Sequence, residues 1–324
     1  MKILVIGFGS MGKRRLECLI KLGYDDLYVY DTKYKENDDF NTLFKNVEFA
    51  SGMDSIDLNK IGAMFVCTPP KTKAEYIYTA NRLNIPCFCE VDIQAYDGDY
   101  IPSNTMIFHP GIKLISDLIR NGTLGNPVAF THHCGQDIDG WHPWEDDFWG
   151  MNKNTAAVRE SAVFELSWLS YLFGTPIAVE GLSSTDTKNE NNDYAERYDK
   201  TEQIIISYIQ FSNSKQNVSG TLLVDTISNP AVRKLTIVCK EGMIYWDWEH
   251  DYIKYSVNGS PFEIIDYPKS EAKDGYNESI REDMYMNETR EVMNHIHNMF
   301  PYSQSLEGKV ISSVSNIGGN HRWI

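Results

Sequence analysis

Short apolar runs alternate with helix-like stretches through the first third of the chain: "KILVIG", "GKRRLECLIKLG", "LYVYD", "AMFVCTPP", "KAEYIYTANRLN", "PCFCE" and "TMIFHP". Strands that are apolar at nearly every position are buried on both faces, and helices between them predict a parallel sheet covered on both sides. After residue 127 the texture changes. "PVAFTHHCG", "IAVEGLSSTD", "EQIIISYIQF", "NVSGTLLVDTIS", "KLTIVCK", "GMIYWDW" and "YIKYSVNG" are strand-like, with hairpin turns predicted at "KEG" and "VNG". The expectation is a largely antiparallel meander. Helices are predicted in "NTAAVRESAVFELSWLSYLFG" and "REDMYMNETREVMNHIHNMF", with a short one in "LEGKVISSVSN" and a polar loop over 187–200.

The predicted fold is α/β plus α+β: an N-terminal doubly wound parallel sheet, then a domain of mostly antiparallel sheet with helices. The domains are read as 1–118 and 119–324, joined by the helix "GIKLISDLIRNG". A length of 324 residues supports this division, because single cores stop growing below that size.

Charge and composition narrow the partners. The net charge of −15 repels phosphate backbones and anionic headgroups, and no basic cluster interrupts it, so neither nucleic acid nor membrane is expected. No apolar run approaches a membrane span, and "ILVIGFG" is too short and glycine-rich for a signal peptide; a cytoplasmic location is expected. The cysteines, at 18, 67, 87, 89, 134 and 239, lie in apolar runs without paired ligand spacing, so they read as buried thiols. No metal site is expected, even with His132-His133-Cys134 present.

Gly7-Phe8-Gly9-Ser10-Met11-Gly12 follows a predicted strand and opens a predicted helix. In that context Gly7 permits a tight turn, Gly9 lets the backbone approach a pyrophosphate, and Gly12 lets helix and strand pack closely. The helix N-terminus offers N–H groups to the anion. Asp31, at the end of the second strand and about 20 residues on, is placed to accept hydrogen bonds from ribose hydroxyls. Its charge favours NAD, although Lys33 nearby keeps NADP as an alternative. Thr68 and Pro69, in "CTPP", and Glu90 end the next strands at the same sheet edge, where ligands bind.

"GFGSMGKRR", "CTPP" followed by a helix, "CEVD", "FHPGIKLISDLIRNGTLGNPVAF" and the final sheet region together resemble the Gfo/Idh/MocA family across the whole chain. "GQDIDGWHPWEDDF" resembles a stretch found in members linked to surface-sugar biosynthesis. The resemblance implies hydride transfer between a nicotinamide and a carbon bearing a hydroxyl, usually on a sugar or cyclitol. It also implies a lysine in a Glu-Lys-Pro motif and a histidine on a helix as proton carriers. Here Glu90 matches the glutamate, but Val91 stands at the lysine position and Asp92 at the proline position. In "RESAVFELSWL", Glu160 and Phe164 stand where the family has aspartate and histidine.

Valine and phenylalanine cannot carry a proton, and a positioned acid or base contributes roughly 10²–10⁴-fold. The candidates for that role are His109, expected at the end of the sixth strand, Asp92 and Glu160, one helical turn from Phe164. Trp141, His142 and Trp144, with Asp137, Asp139 and Glu145, form an aromatic and polar segment suited to a sugar ring. Two functions remain open: a sugar, cyclitol or nucleotide-sugar oxidoreductase with a rearranged proton relay, and a dinucleotide-binding or regulatory protein without turnover. Pairing of subunits into a dimer or tetramer through the final sheet is also expected, with Ile204, Ile206 and Tyr208 on one strand face.

Overall fold

The structure, a computed structural model, describes residues 1–34, 40, 44–93, 95–137, 157–185, 202–212, 217–267 and 282–298, excepting the side chains of 71, 182–185 and 202–208. It forms two compact units, one built from Met1–Thr105 and the segment that begins at Asp283, the other from Met106–Glu282.

In the first unit, β1 (Lys2–Ile6), α1 (Ser10–Lys21), β2 (Leu27–Tyr30), β3 (Val47–Phe49), β4 (Ile61–Val66), α2 (Pro70–Arg82), β5 (Cys87–Cys89) and β6 (Ile101–Pro102) follow in chain order. The sheet order is β3-β2-β1-β4-β5-β6, and every pairing is parallel. That order reverses direction beside β1, the switch point at which open α/β sheets bind ligands. Period-two alternation explains the double cover. Ile3 and Val5 join Leu16 and Leu19 of α1 in one core, while Leu4 and Ile6 join Ile77 and Ala80 of α2 in the other.

The predicted sixth strand at "TMIFHP" is a correction. Thr105–Phe108 form a 3₁₀ turn, and the sixth strand is only Ile101–Pro102. Pro102 has no N–H for a continuing ladder, and the next chain groups turn to another partner: the Asn104 N–H and the Ser103 hydroxyl donate to Glu288. Glu288 lies on α5 (Glu282–Asn298), whose Val292, Met293 and Ile296 enter the first unit's core. A helix some 160 residues beyond the expected boundary at 118 therefore completes this unit.

The second unit contains α3 (Pro110–Arg120), β7 (Pro127–Gly135), α4 (Ala157–Phe173), β8 (Thr175–Thr185), β9 (Glu202–Ser212), β10 (Asn217–Asp225), β11 (Val232–Cys239), β12 (Gly242–Asp247), β13 (Tyr252–Val257) and β14 (Glu263–Asp266). The eight strands run β14-β13-β12-β11-β7-β10-β9-β8. All pairings are antiparallel except β7 with β10, so β7 lies inside the sheet rather than at the start of a simple meander. The hairpins fall at "KEG" and "VNG", the latter with positive φ at Asn258 (50°) and Gly259 (75°). On β7, Phe130, His132 and Cys134 are buried while Thr131 is exposed and Ala129 and His133 are half-buried, the alternation of a sheet with one core face. Phe130 packs on Phe173 of α4, with ring centroids 4.9 Å apart.

The six cysteines are all described and none is disulfide-bonded. No helix among the described residues is long and apolar enough to cross a membrane.

Candidate functional site

The glycine loop sits at the switch point of the parallel sheet, and its three glycines meet different demands. A Cβ on Gly7, whose φ is +92°, would lie 2.7 Å from the Cys67 carbonyl oxygen, and one on Gly12 would fall on the Gly7 carbonyl. Both glycines are required by the protein's own packing. Gly9 is not: its φ of −72° suits any residue, and a Cβ there would meet nothing within 4 Å. The open space over Gly9 is a cradle into which an external group can approach the backbone.

The start of α1 matches that reading. It has no side-chain cap and no acidic residue in its first turn, so the N-terminal N–H groups and the positive end of the dipole face the same space. Asp31, just past β2, supports the loop from the other side. Its Oδ2 accepts the Phe8 N–H at 2.6 Å, and its Oδ1 accepts the N–H groups of Lys33 (2.6 Å) and Tyr34 (2.9 Å). Phe8 itself is buried, edge-on against Phe40, Phe44 and Phe49, so it anchors the loop from beneath. Beyond β4, the buried hydroxyl of Thr68 has no hydrogen-bond partner among the described residues. Pro69 is the N-cap of α2, and Pro70 opens that helix. An uncapped helix end, an unfilled cradle and an orphaned hydroxyl along one sheet edge fit a dinucleotide.

Glu90 ends β5 at that edge, and its carboxylate is held by the Arg15 Nε at 2.5 Å. The sequence reading missed this arginine because it stands 75 residues away on α1. It also missed Lys73, one turn into α2. The buried Nζ of Lys73 donates to the carbonyls of Glu90 (3.0 Å) and Val91 (2.6 Å) and pairs with Asp92 at 3.3 Å. Asp92 also accepts from the Tyr96 hydroxyl at 2.5 Å. Lys73, Asp92 and Tyr96 thus form a connected polar group immediately after β5. The Tyr96 phenol is pushed well above its ordinary range, by burial first and by the neighbouring Asp92 carboxylate second.

His109 is not at a strand end. It is the N-cap of α3, fully buried, with Nδ1 accepting the Gly111 N–H at 3.1 Å and its ring edge-on to Trp246 and Tyr267. Glu160 is half-buried on the first turn of α4, one turn before Phe164. Trp141, His142, Trp144, Asp139 and Glu145 lie outside the described residues, as do the side chains of Ile204, Ile206 and Tyr208.

A buried polar cluster in the second unit was not foreseen. Glu165, fully buried next to Phe164, accepts from Arg233 Nη2 (2.8 Å), from Trp168 Nε1 (2.7 Å) and from His132 Nε2 (2.7 Å). Burial opposes its ionisation, yet the Arg233 charge and the bonds from His132 and Trp168 prevail and hold its pKa at about 2. His132 and His133 face opposite sides of β7: the first meets Glu165, the second meets Asp225 at 2.7 Å. Burial pushes the Cys134 thiol up to about 12. The only sequence signal for this cluster was the presence of charged residues in otherwise apolar elements, which does not reveal which of them meet.

Comparisons with known proteins agree with this architecture. Residues 116–315 match the Gfo/Idh/MocA family described as "Oxidoreductase family, C-terminal alpha/beta domain". No curated protein sequence is a significant match. Among solved structures, the chain is similar to a levoglucosan dehydrogenase in complex with NADH and levoglucosan, with TM-score 0.76, 16% identity and coverage of 98% of this chain and 96% of that one. It is also similar to UDP-N-acetylglucosamine 3-dehydrogenase from Acidithiobacillus ferrooxidans, with TM-score 0.71, 13% identity and coverage of 98% and 96%. An NAD binding oxidoreductase from Klebsiella pneumoniae gives TM-score 0.72 at 15% identity, with 98% and 95% covered. Identities this low carry the fold and not the substrate. The family match spans more than half of the chain, and the protein belongs to the Gfo/Idh/MocA oxidoreductase family.

Proposed function

We propose that this protein is an NAD-dependent oxidoreductase that transfers a hydride between the nicotinamide and a carbon bearing a hydroxyl on a sugar, cyclitol or nucleotide sugar. The observation that carries the reading is the combination at the switch point: Gly9 with open space over it, an uncapped α1 and an orphaned Thr68 hydroxyl. The nicotinamide, when bound, accepts or returns the hydride. The chain's own tasks are to hold the dinucleotide and to take the hydroxyl proton.

For the proton we assign Asp92. It ends the segment that follows β5, where a dinucleotide-binding sheet presents its ligand edge, and Lys73 and Tyr96 connect it to further proton-bearing groups. His109 is less suited because the Gly111 N–H engages its Nδ1 lone pair. Val91, buried beside Asp92, excludes water from that strand end. The sugar class is supported by the names of the similar structures, two of which are sugar or nucleotide-sugar dehydrogenases. Pairing of copies through the outer sheet face, where Val128, Val238 and Ile264 are exposed, is proposed with it, as is a cytoplasmic location.

The test is stoichiometric protein with NAD and a panel of sugars, cyclitols and nucleotide sugars, followed by NADH absorbance. Signal with a subset of the panel, lost in Asp92→Asn, is expected. Absence of NADH throughout, with NAD still bound, supports a second reading as a dinucleotide-binding protein without turnover. The observation favouring that alternative is that Asp92 and His109 both have fixed internal partners. Under it, Val91→Lys combined with Phe164→His should create activity that the parent lacks.

A further inference from the structure

Lys13 closes the first turn of α1, where its N–H donates to the Gly9 carbonyl at 3.0 Å. That turn holds no acidic residue, so the positive side chain of Lys13 works against the positive end of the helix dipole. The half-buried lysine places its ammonium 5.2 Å from the centre of the Phe8 ring and 5.1 Å from that of Tyr34. Ring faces attract a cation, but among the described residues no carboxylate pairs with this one. An anion brought to this point satisfies the lysine and the helix end together.

Asp31 supplies the second observation. An ionised carboxylate offers about four lone-pair sites. Oδ1 is filled by the N–H groups of Lys33 and Tyr34, and Oδ2 takes that of Phe8, so a single lone pair remains. One ribose hydroxyl can still reach it, which keeps NAD as a ligand. Three backbone N–H dipoles nevertheless point into the carboxylate and offset its field, so its repulsion of a phosphate is reduced. The two rings beside Lys13 belong to residues whose N–H groups hold Asp31, so ammonium and carboxylate border one place. Lys33, exposed two residues past Asp31, adds a second positive charge to the same turn. All of these residues lie in the first unit.

We propose that Lys13 is a specificity-determining residue at the adenosine end of the dinucleotide site, where it pairs with a 2′-phosphate, so that the protein takes NADP as well as NAD. The inference deepens the oxidoreductase reading above and rests on it for the presence of a dinucleotide. Asp31 then serves chiefly as a clasp for the Phe8 peptide, and the choice of cofactor passes to the lysine.

The test is calorimetry on the full chain with NAD, NADP, 5′-AMP and adenosine 2′,5′-bisphosphate. Lys13→Glu and Lys13→Met should each weaken NADP about 10-fold or more relative to NAD, the range of one charge-assisted contact, and the bisphosphate by a similar factor relative to AMP. Lys13→Arg keeps the charge and should keep NADP binding. Glutamate suits the first turn of a helix, so Lys13→Glu guards against a loss caused by unfolding, and thermal unfolding checks all three variants. Raising salt from about 0.05 to 0.5 M should weaken NADP more than NAD in the parent and remove most of that difference in Lys13→Met. A parent that binds NAD but not NADP, or an NADP-to-NAD affinity ratio that changes less than about threefold in both Lys13→Glu and Lys13→Met, overturns the proposal. Binding of neither dinucleotide by the parent overturns it together with the reading beneath it. If the ratio depends on Lys13 and no sugar is oxidised with either cofactor, the subsite stands and the dehydrogenase reading fails.

Discussion

Arg15 of α1 and Glu288 of α5 meet at 2.5 Å in the interior of the first unit, 273 residues apart in the chain. The same guanidinium holds Glu90 through Nε, while Glu288 also collects the hydroxyls of Ser103 and Thr105 and the Asn104 N–H. One buried arginine thus ties together the helix after the glycine loop, the end of β5 and a helix from the far end of the chain. Burial would lower the Arg15 pKa, but the two carboxylates raise it well above the ordinary value.

Removing that arginine leaves two carboxylates, one fully buried, without their cation. Arg15→Met should lower the unfolding free energy by about 3–5 kcal/mol, because the desolvation cost of Glu288 is no longer offset. Urea denaturation of the full chain measures it. Adding Glu288→Gln to Arg15→Met should recover part of the loss, since an amide pays less for burial than a lone carboxylate. A loss below about 1 kcal/mol would show that the network contributes little.

Lys73 offers a local version of the same argument. Lys73→Met removes the cation beside the buried Asp92 and the donor to the Glu90 and Val91 carbonyls, so a loss of about 3 kcal/mol or more is expected. NAD affinity should fall as well, as the strand end bearing Glu90 loses its brace. Unchanged NAD binding in a folded variant would separate this brace from the cofactor site.

The glycine loop gives a paired prediction. Gly9→Ala should change stability by less than about 0.5 kcal/mol, because its Cβ enters open space, yet weaken NAD binding roughly tenfold or more. Gly12→Ala should destabilise the fold itself, because its Cβ falls on the Gly7 carbonyl. Thermal unfolding and NAD titration on both variants check it; equal behaviour in the two assays would remove the distinction between a packing glycine and a ligand glycine.

Glu165 sets an acid limit for the second unit. Its pKa is lowered from 4.5 to about 2 in the folded protein, so the folded state binds its proton less readily than the unfolded chain. The contribution is fully present above about pH 4.5 and is lost as pH falls through about 2, amounting to roughly 3 kcal/mol over that window. The difference in pH slope between the parent and Glu165→Gln, measured by denaturation from pH 5 downward, isolates it. Parallel slopes would show that Glu165 is not ionised in the fold.

Legibility in the sequence followed the range of the interaction. The parallel sheet, its order of elements and the glycine loop were readable, because doubly buried strands and the Gly7-Gly9-Gly12 spacing are written over a few neighbouring residues. The hairpins at "KEG" and "VNG" were readable for the same reason. The parallel β7–β10 pairing and the docking of α5 were not, since each joins segments far apart in sequence whose patterns are satisfied equally by other neighbours.

The site divides along the same line. Sequence alone determined that a glycine loop joins a buried strand to a helix and that Val91 and Phe164 cannot carry a proton. Only the tertiary structure decided that Arg15 holds Glu90, that Lys73 braces the peptide of Val91, and that Glu165 rather than Glu160 gathers Arg233 and His132. A buried charge requires a partner, but the requirement names no partner; folding selects it from whichever charge the packing of distant elements brings within hydrogen-bond reach.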